Sequence, residues 1–200
     1  MAKLSQTKFD VWLADPPWHF KTYSDKGRKK SPKYPTMQYG DIVALGQDIE
    51  PLLPDDAALF MWTTYPFLEK AFPVIKAWGF QFRTVAFTWV KESKTGEKWH
   101  MGTGYYTRAN PEICLLGVRG KMPVHPHQRP PNLIVSPVRE HSQKPSYVIK
   151  RISEMYPQSR RIELFASKNS EANSYLQGFT PLGFDIDGKN IAQALRDFST

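Results

Sequence analysis

The chain has 200 residues, 40% hydrophobic and 23% charged, with a formal net charge of +8 and a pI near 9.5. That length suits one domain, residues 1–200, with a core of useful size. No apolar run reaches the eighteen residues of a membrane span, no signal peptide is recognisable, and the single cysteine, Cys114, rules out an internal disulfide framework and a multi-cysteine zinc site. A cytoplasmic protein is therefore expected.

The charge is unevenly spread. Residues 19–40 hold Lys21, Lys26, Arg28, Lys29, Lys30 and Lys33 against Asp25 alone, and residues 119–151 hold seven basic residues against Glu140. Residues 41–56 hold five acids and no base. Positive charge concentrated in segments predicts a polyanionic partner, nucleic acid above all. GRKKSPK also has the composition of a nuclear-import patch, a pattern that arises often by chance.

In chain order, FDVWLA (9–14) reads as a buried strand and is followed by a long polar loop to about Tyr39. GDIVALGQDIEPLL predicts a helix with a proline-bounded end, and AALFMWTT (57–64) a second strand. FLEKAFPVIKAWG (67–79) has helical apolar spacing and a terminal Gly79, with Pro73 expected to kink it or mark its start. QFRTVAFTWV (81–90) alternates as a strand does. A polar and aromatic loop follows to Pro111, then strands at 112–120 and 132–137. A helix is expected over 144–156, a strand at 160–166, and a turn plus a last helix in the tail. Alternating strands and helices predict a three-layer α/β fold with a mostly parallel sheet. Ligands bind such sheets at the carboxyl ends of the strands.

LADPPWHF (13–20) ends its strand on a carboxylate, two prolines and a tryptophan. Prolines stiffen the backbone and push the preceding residue to extended geometry. The stretch therefore aims Asp15, the Pro16 carbonyl and Trp18 at one region. Such a trio suits an aromatic amine, whose lone pair is delocalised into its ring. Acceptors on both N–H groups, Asp15 and the Pro16 carbonyl, favour tetrahedral nitrogen, and Trp18 can stack on a flipped or single-stranded base. Other motifs carry less. No Walker loop or complete GxGxxG is present, and His125 and His127 in a proline-rich stretch read as loop rather than as a metal pair. Cys114 lies in an apolar strand and reads as core.

FDVWLADPPW, GTGYYTRANPEICLLGVRG, VREHSQKPSYVIKRISEMYP, RRIELFA and LGFDIDGKNIAQAL together resemble the MT-A70 adenine N6-methyltransferases, particularly their short bacterial and phage members. The resemblance covers most of the chain and includes the permuted order, catalytic strand early and cofactor strand late. It implies a Rossmann-like class I methyltransferase fold using S-adenosylmethionine, and methyl transfer to the N6 amine of adenine in DNA is the leading expectation. The family's catalytic tetrapeptide falls on Asp15, Pro16, Pro17 and Trp18, with Asp15 also beside the cofactor. Its lysine for the cofactor's carboxylate falls on Lys144, and its late-strand acid on Glu163, with Phe165 following. Beyond that strand the text departs from the family: Ser167, Phe179, Leu182 and Phe184 stand where arginine, two tryptophans and asparagine are common. Asp185 is then the expected ribose acceptor, and Asn169 a polar candidate for a cofactor contact.

Substrate contacts are expected from Lys21, Arg28, Lys29, Lys30, Tyr105, Tyr106, Arg108 and Asn110, where basic and aromatic residues interleave. Loop packing is an equal alternative for Arg108 and Asn110. RNA as substrate, and a non-catalytic nucleic-acid-binding subunit, are the competing readings. No target-recognition domain fits in this length, so sequence specificity is expected to be short, relaxed or borrowed from a partner chain, a second copy or another subunit.

Overall fold

In a computed structural model, the structure describes residues 7–19, 36–102, 104, 106–125, 128–139, 143–168 and 177–199. Seven strands form one sheet: β1 (Val11–Ala14), β2 (Ala57–Thr63), β3 (Gln81–Glu92), β4 (Glu112–Arg119), β5 (Leu133–Pro137), β6 (Arg161–Leu164) and β7 (Phe179–Leu182). Their order is β5-β3-β4-β2-β1-β6-β7. β1 is parallel to β2 and β6, β6 to β7, and β3 to β5, while β4 runs antiparallel to both of its neighbours. The sheet is mostly parallel, as the alternating sequence pattern predicts.

Helices cover both faces. α1 (Tyr39–Ala44), α2 (Gly46–Ile49), α3 (Leu68–Ala77) and α6 (Ile191–Arg196) contribute to one core, and α4 (Tyr147–Met155) packs on the other. β1 shows the division: Trp12 and Ala14 enter the first core, Val11 and Leu13 the second. Alternation across a strand sends successive side chains to opposite faces, and here both faces are covered, so all four residues are buried. α4 is anchored by Val148, Ile149, Ile152 and Met155, each buried and each contributing about 1.5–3 kcal/mol on burial.

Several boundaries differ from the sequence reading. The single helix expected over 40–53 is two short helices and a 3-10 turn, Glu50–Leu52, broken at Leu45. Gly46 opens the second because a Cβ there would lie 2.2 Å from the Ala77 carbonyl oxygen. α3 runs through Pro73 instead of starting there. Pro73 lies on the exposed side, where the carbonyl deprived of its N–H partner can meet water. β7 is a strand that the sequence reading omits. It contains Pro181, which a sheet tolerates at its edge. No helix among the described residues is long and apolar enough to cross a membrane.

Candidate active site

The sheet's register fixes what meets at its carboxyl end. Ala14 is aligned with Met61 of β2 and Leu164 of β6. The next residues, Asp15, Trp62 and Phe165, therefore lie abreast. Trp62 pairs with Cys114, and Trp89 near the end of β3 pairs with Glu112. Because β4 is reversed, its first residue sits at the end of the sheet where the parallel strands finish.

Four charged side chains converge there. Lys144 Nζ, from the segment leading into α4, lies 2.5 Å from Asp15 Oδ2 and 3.2 Å from Glu112 Oε2. Glu112 Oε1 is held in turn by Lys91. Side-chain exposure is 15% for Lys91 and Glu112, 17% for Lys144 and 38% for Asp15, so the row opens to solvent at Asp15. Lys144 Nζ also lies 5.8 Å from the centre of the Trp62 ring, a cation–π distance.

Burial pushes the Asp15 carboxyl above its ordinary value, the Lys144 charge opposes that, and the Glu112 charge adds to it. Burial would also raise Glu112, but Lys144 and Lys91 together outweigh it and hold that carboxyl low. Burial disfavours the Lys144 charge, yet the two carboxylates overcome this and raise its pKa. Burial, and then Asp15, pushes the Cys114 thiol well up. It stays protonated and belongs to the core, as expected.

The two-proline elbow is built as a tight turn. The Trp18 N–H donates to the Pro16 carbonyl at 2.9 Å, and the Met37 N–H donates to the Pro17 carbonyl at 2.9 Å. A bond from residue i+2 back to i is a γ-turn. It occupies one acceptor site of the Pro16 carbonyl and leaves the second lone pair. Trp18 corrects an expectation: its indole is 6% exposed and stacks on Phe67, with ring centres 5.5 Å apart and planes 14° off parallel. It is part of the core, not a free platform for a base. Its buried Nε1 has no hydrogen-bond partner among the described residues.

The cofactor candidates lie along the β6–β7 side. Glu163 is half-buried and pairs with Leu13 and Pro181 in the sheet register. Phe165 has φ 63°, a left-handed conformation that is strained for an aromatic residue and typical of functional turns. At Gly183 the end of β7 crowds Ala166, whose carbonyl oxygen would be 2.1 Å from a Cβ. Phe184, 62% exposed, and the exposed Asp185 follow in the short helix α5 (Phe184–Asp187). Asn169 lies outside the described residues.

Among the substrate candidates, Lys21, Arg28, Lys29, Lys30 and Tyr105 also lie outside them. Tyr106 is fully exposed. Arg108 donates to the carbonyls of Met101 and Gly102. Asn110 takes the loop-packing alternative: its amide accepts from the Lys91 N–H at 2.9 Å and donates to the Lys91 and His100 carbonyls at 2.8 and 2.5 Å. Lys91 and Glu112 were absent from the sequence reading. A charged residue where a strand meets a loop is unremarkable until topology places both strand ends beside Asp15.

S-Adenosylmethionine fits this donor set. Its amino-acid end carries both charges and can be met by Asp15 and Lys144. Its nucleoside end needs an aromatic surface and a hydroxyl acceptor, which exposed Phe184 and Asp185 offer. Among the described residues no group of three or more His, Cys, Asp or Glu could hold a metal ion.

The MT-A70 family model matches residues 9–180. The chain is 34% identical over 185 residues to the Type II methyltransferase M.MunI of Mycoplasma sp, covering 84% of this chain and 76% of that protein. It is 31% identical to the N(6)-adenosine-methyltransferase MT-A70-like protein of Drosophila melanogaster, over 90% of this chain and 27% of that one. It is 30% identical to the human N(6)-adenosine-methyltransferase catalytic subunit METTL3, over 92% of this chain and 29% of METTL3. The chain thus spans less than a third of the two N(6)-adenosine-methyltransferase relatives. An early aspartate-proline-proline-tryptophan strand end on a mostly parallel sheet, matched by the family model over most of the length, makes this chain a member of the MT-A70 family, with its class I S-adenosylmethionine-dependent methyltransferase fold.

Proposed function

We propose that the protein transfers a methyl group from S-adenosylmethionine to the N6 amine of adenine in nucleic acid, with DNA as the favoured substrate. The observation that carries the reading is Asp15: a partly open carboxylate on a rigid elbow, at the carboxyl end of β1, beside an acceptor lone pair on Pro16. The bound cofactor would supply an electrophilic methyl group on a sulfonium. Asp15 accepts one N–H of the amine and the Pro16 carbonyl the other, which draws the nitrogen lone pair out of the ring. Asp185 would hold ribose hydroxyls, and the Lys144 ammonium, which has three N–H donors, would reach the cofactor's carboxylate while another donor stays on Asp15 or Glu112. Catalysis is then positioning and electrostatics, with no covalent enzyme intermediate, in keeping with the protonated Cys114.

The Type II methyltransferase relative favours DNA, and the N(6)-adenosine relatives favour RNA. Overall positive charge suits either. A tritiated-methyl transfer assay on duplex DNA, single-stranded DNA and RNA, with nucleoside analysis of the product, tests the reading. N6-methyldeoxyadenosine is expected from wild type and none from Asp15→Ala, whose nucleic-acid affinity should stay within a few-fold. Full activity in Asp15→Ala would remove the mechanism. Label in RNA alone would change the substrate, and no transfer to any of the three would leave a non-catalytic binding subunit.

A further inference from the structure

In this structure the Lys144 ammonium sits on the same carboxylate, Asp15, that the proposed reaction needs as an acceptor. A carboxylate oxygen already engaged by an ammonium is a weaker acceptor for an amine N–H. Glu112 faces the same ammonium from β4, with its oxygen at 3.2 Å where that of Asp15 is at 2.5 Å. A small rotation about the lysine's own torsions exchanges the nearer partner. Glu112 cannot follow the lysine toward Asp15, because Lys91 holds its other oxygen. Lys91 is itself fixed: Asn110 binds its backbone N–H and carbonyl, and its ammonium lies 5.0 Å from the centre of the Trp89 ring.

We propose that Glu112 and Lys91 are positioning residues which provide a second seat for the Lys144 ammonium, so that Lys144 moves from Asp15 to Glu112 as the substrate amine enters. This deepens the proposed function and rests on Asp15 being the amine acceptor. No net charge is buried in either arrangement, because the row contains two lysines and two carboxylates. Moving the ammonium between seats therefore avoids the large cost of leaving an isolated charge in a protein interior. The charged and titratable groups that face Asp15 among the described residues come from three directions: Lys91 on β3, Glu112 and Cys114 on β4, and Lys144 before α4. Of these, Glu112 raises the Asp15 pKa while Lys144 and Lys91 lower it.

The test is steady-state methyl transfer over a range of pH for wild type, Asp15→Asn, Glu112→Gln, Lys91→Met and Lys91→Arg. Glu112→Gln removes the second seat. Its plateau kcat should fall by about 10- to 100-fold, the scale of a misplaced reacting group, with little change in KM. The same substitution removes a neighbouring negative charge, so the acid limb of the kcat profile should move to lower pH. That shift reports that Glu112 faces Asp15; the second seat itself is read from the loss of kcat at unchanged KM, which a merely structural role would not give. Lys91→Met should lower kcat as well, and Lys91→Arg should restore it to within a few-fold.

Wild-type kcat in Glu112→Gln, or a lowered kcat with an unmoved acid limb, would overturn the proposal. If Asp15→Asn is fully active, the underlying reading of Asp15 fails instead. Should Glu112→Gln prove unfolded by circular dichroism, Glu112→Asp decides: it keeps the charge and shortens the reach. A lowered kcat with an unmoved acid limb is then expected, and a wild-type kcat overturns the second seat.

Discussion

The Trp12 Nε1 donates to the Phe9 carbonyl at 2.8 Å, and the Trp78 Nε1 to the Ile42 carbonyl at 2.8 Å, whereas the Trp18 Nε1 is buried without a partner among the described residues. A lost partner for a buried polar group costs about 1–3 kcal/mol. Trp18→Phe keeps a ring against Phe67 and removes the orphaned donor; Trp12→Phe orphans the Phe9 carbonyl. Trp12→Phe should therefore be less stable than Trp18→Phe by about 1–3 kcal/mol in urea unfolding, and equal midpoints would contradict this. Lys144 offers a second check at this scale. Burial raises the Asp15 pKa and the lysine charge opposes it. In Lys144→Met burial is unopposed by that charge, so more of Asp15 is protonated at a given pH. The acid limb of kcat should move to higher pH, the reverse of the Glu112→Gln shift.

Among the elements, the connection from β3 to β4 owes its shape to Asn110, whose amide makes three backbone hydrogen bonds. Asn110→Ala should speed hydrogen exchange at the Lys91 amide by at least ten-fold and lower methyl transfer through displacement of Lys91, with the global melting temperature moving little. Unchanged exchange at Lys91 would show that other contacts hold the loop. The short helix after β7 allows a parallel check on the cofactor. S-Adenosylhomocysteine should raise the melting temperature of wild type, since a ligand that binds only the folded state stabilises it. Asp185→Ala should shrink that rise while leaving the ligand-free value nearly unchanged, because Asp185 is exposed. An equal rise in both would assign the ribose to another residue.

Across the whole molecule, the sheet and its order of helices were legible because buried parallel strands such as AALFMWT are nearly continuous apolar runs. The aspartate elbow was legible because two prolines leave the chain few choices. β7 was hidden by Pro181, and the Lys91–Glu112 pair by the fact that strand direction is not written in residue pattern. Asn110 and Trp18 have residue types that suit ligand contact equally well, and only their neighbours assign them to loop and core. Three of the five acids at 41–56 serve the fold: Glu50 pairs with Arg119, Asp48 with Arg196, and Asp56 accepts the Lys121 N–H. That leaves the positive excess to dominate at long range. Nucleic-acid affinity should fall steeply with salt through counterion release, and neutralising Arg28, Lys29 and Lys30 together should flatten the log–log slope by about 2–3. An unchanged slope would transfer the phosphate contacts to residues 119–151.

Reversal of β4 has one more consequence. It turns the segment between β3 and β4 into a single excursion whose two feet, Lys91 and Glu112, grip each other at the sheet. Outside the Asn110 staple, what lies between the feet can lengthen, shorten or change composition while the chemistry below stays in register. The molecule thus contains a natural graft site: exchanging residues 94–108 between relatives should carry sequence preference across and leave the methyl-transfer machinery where it is.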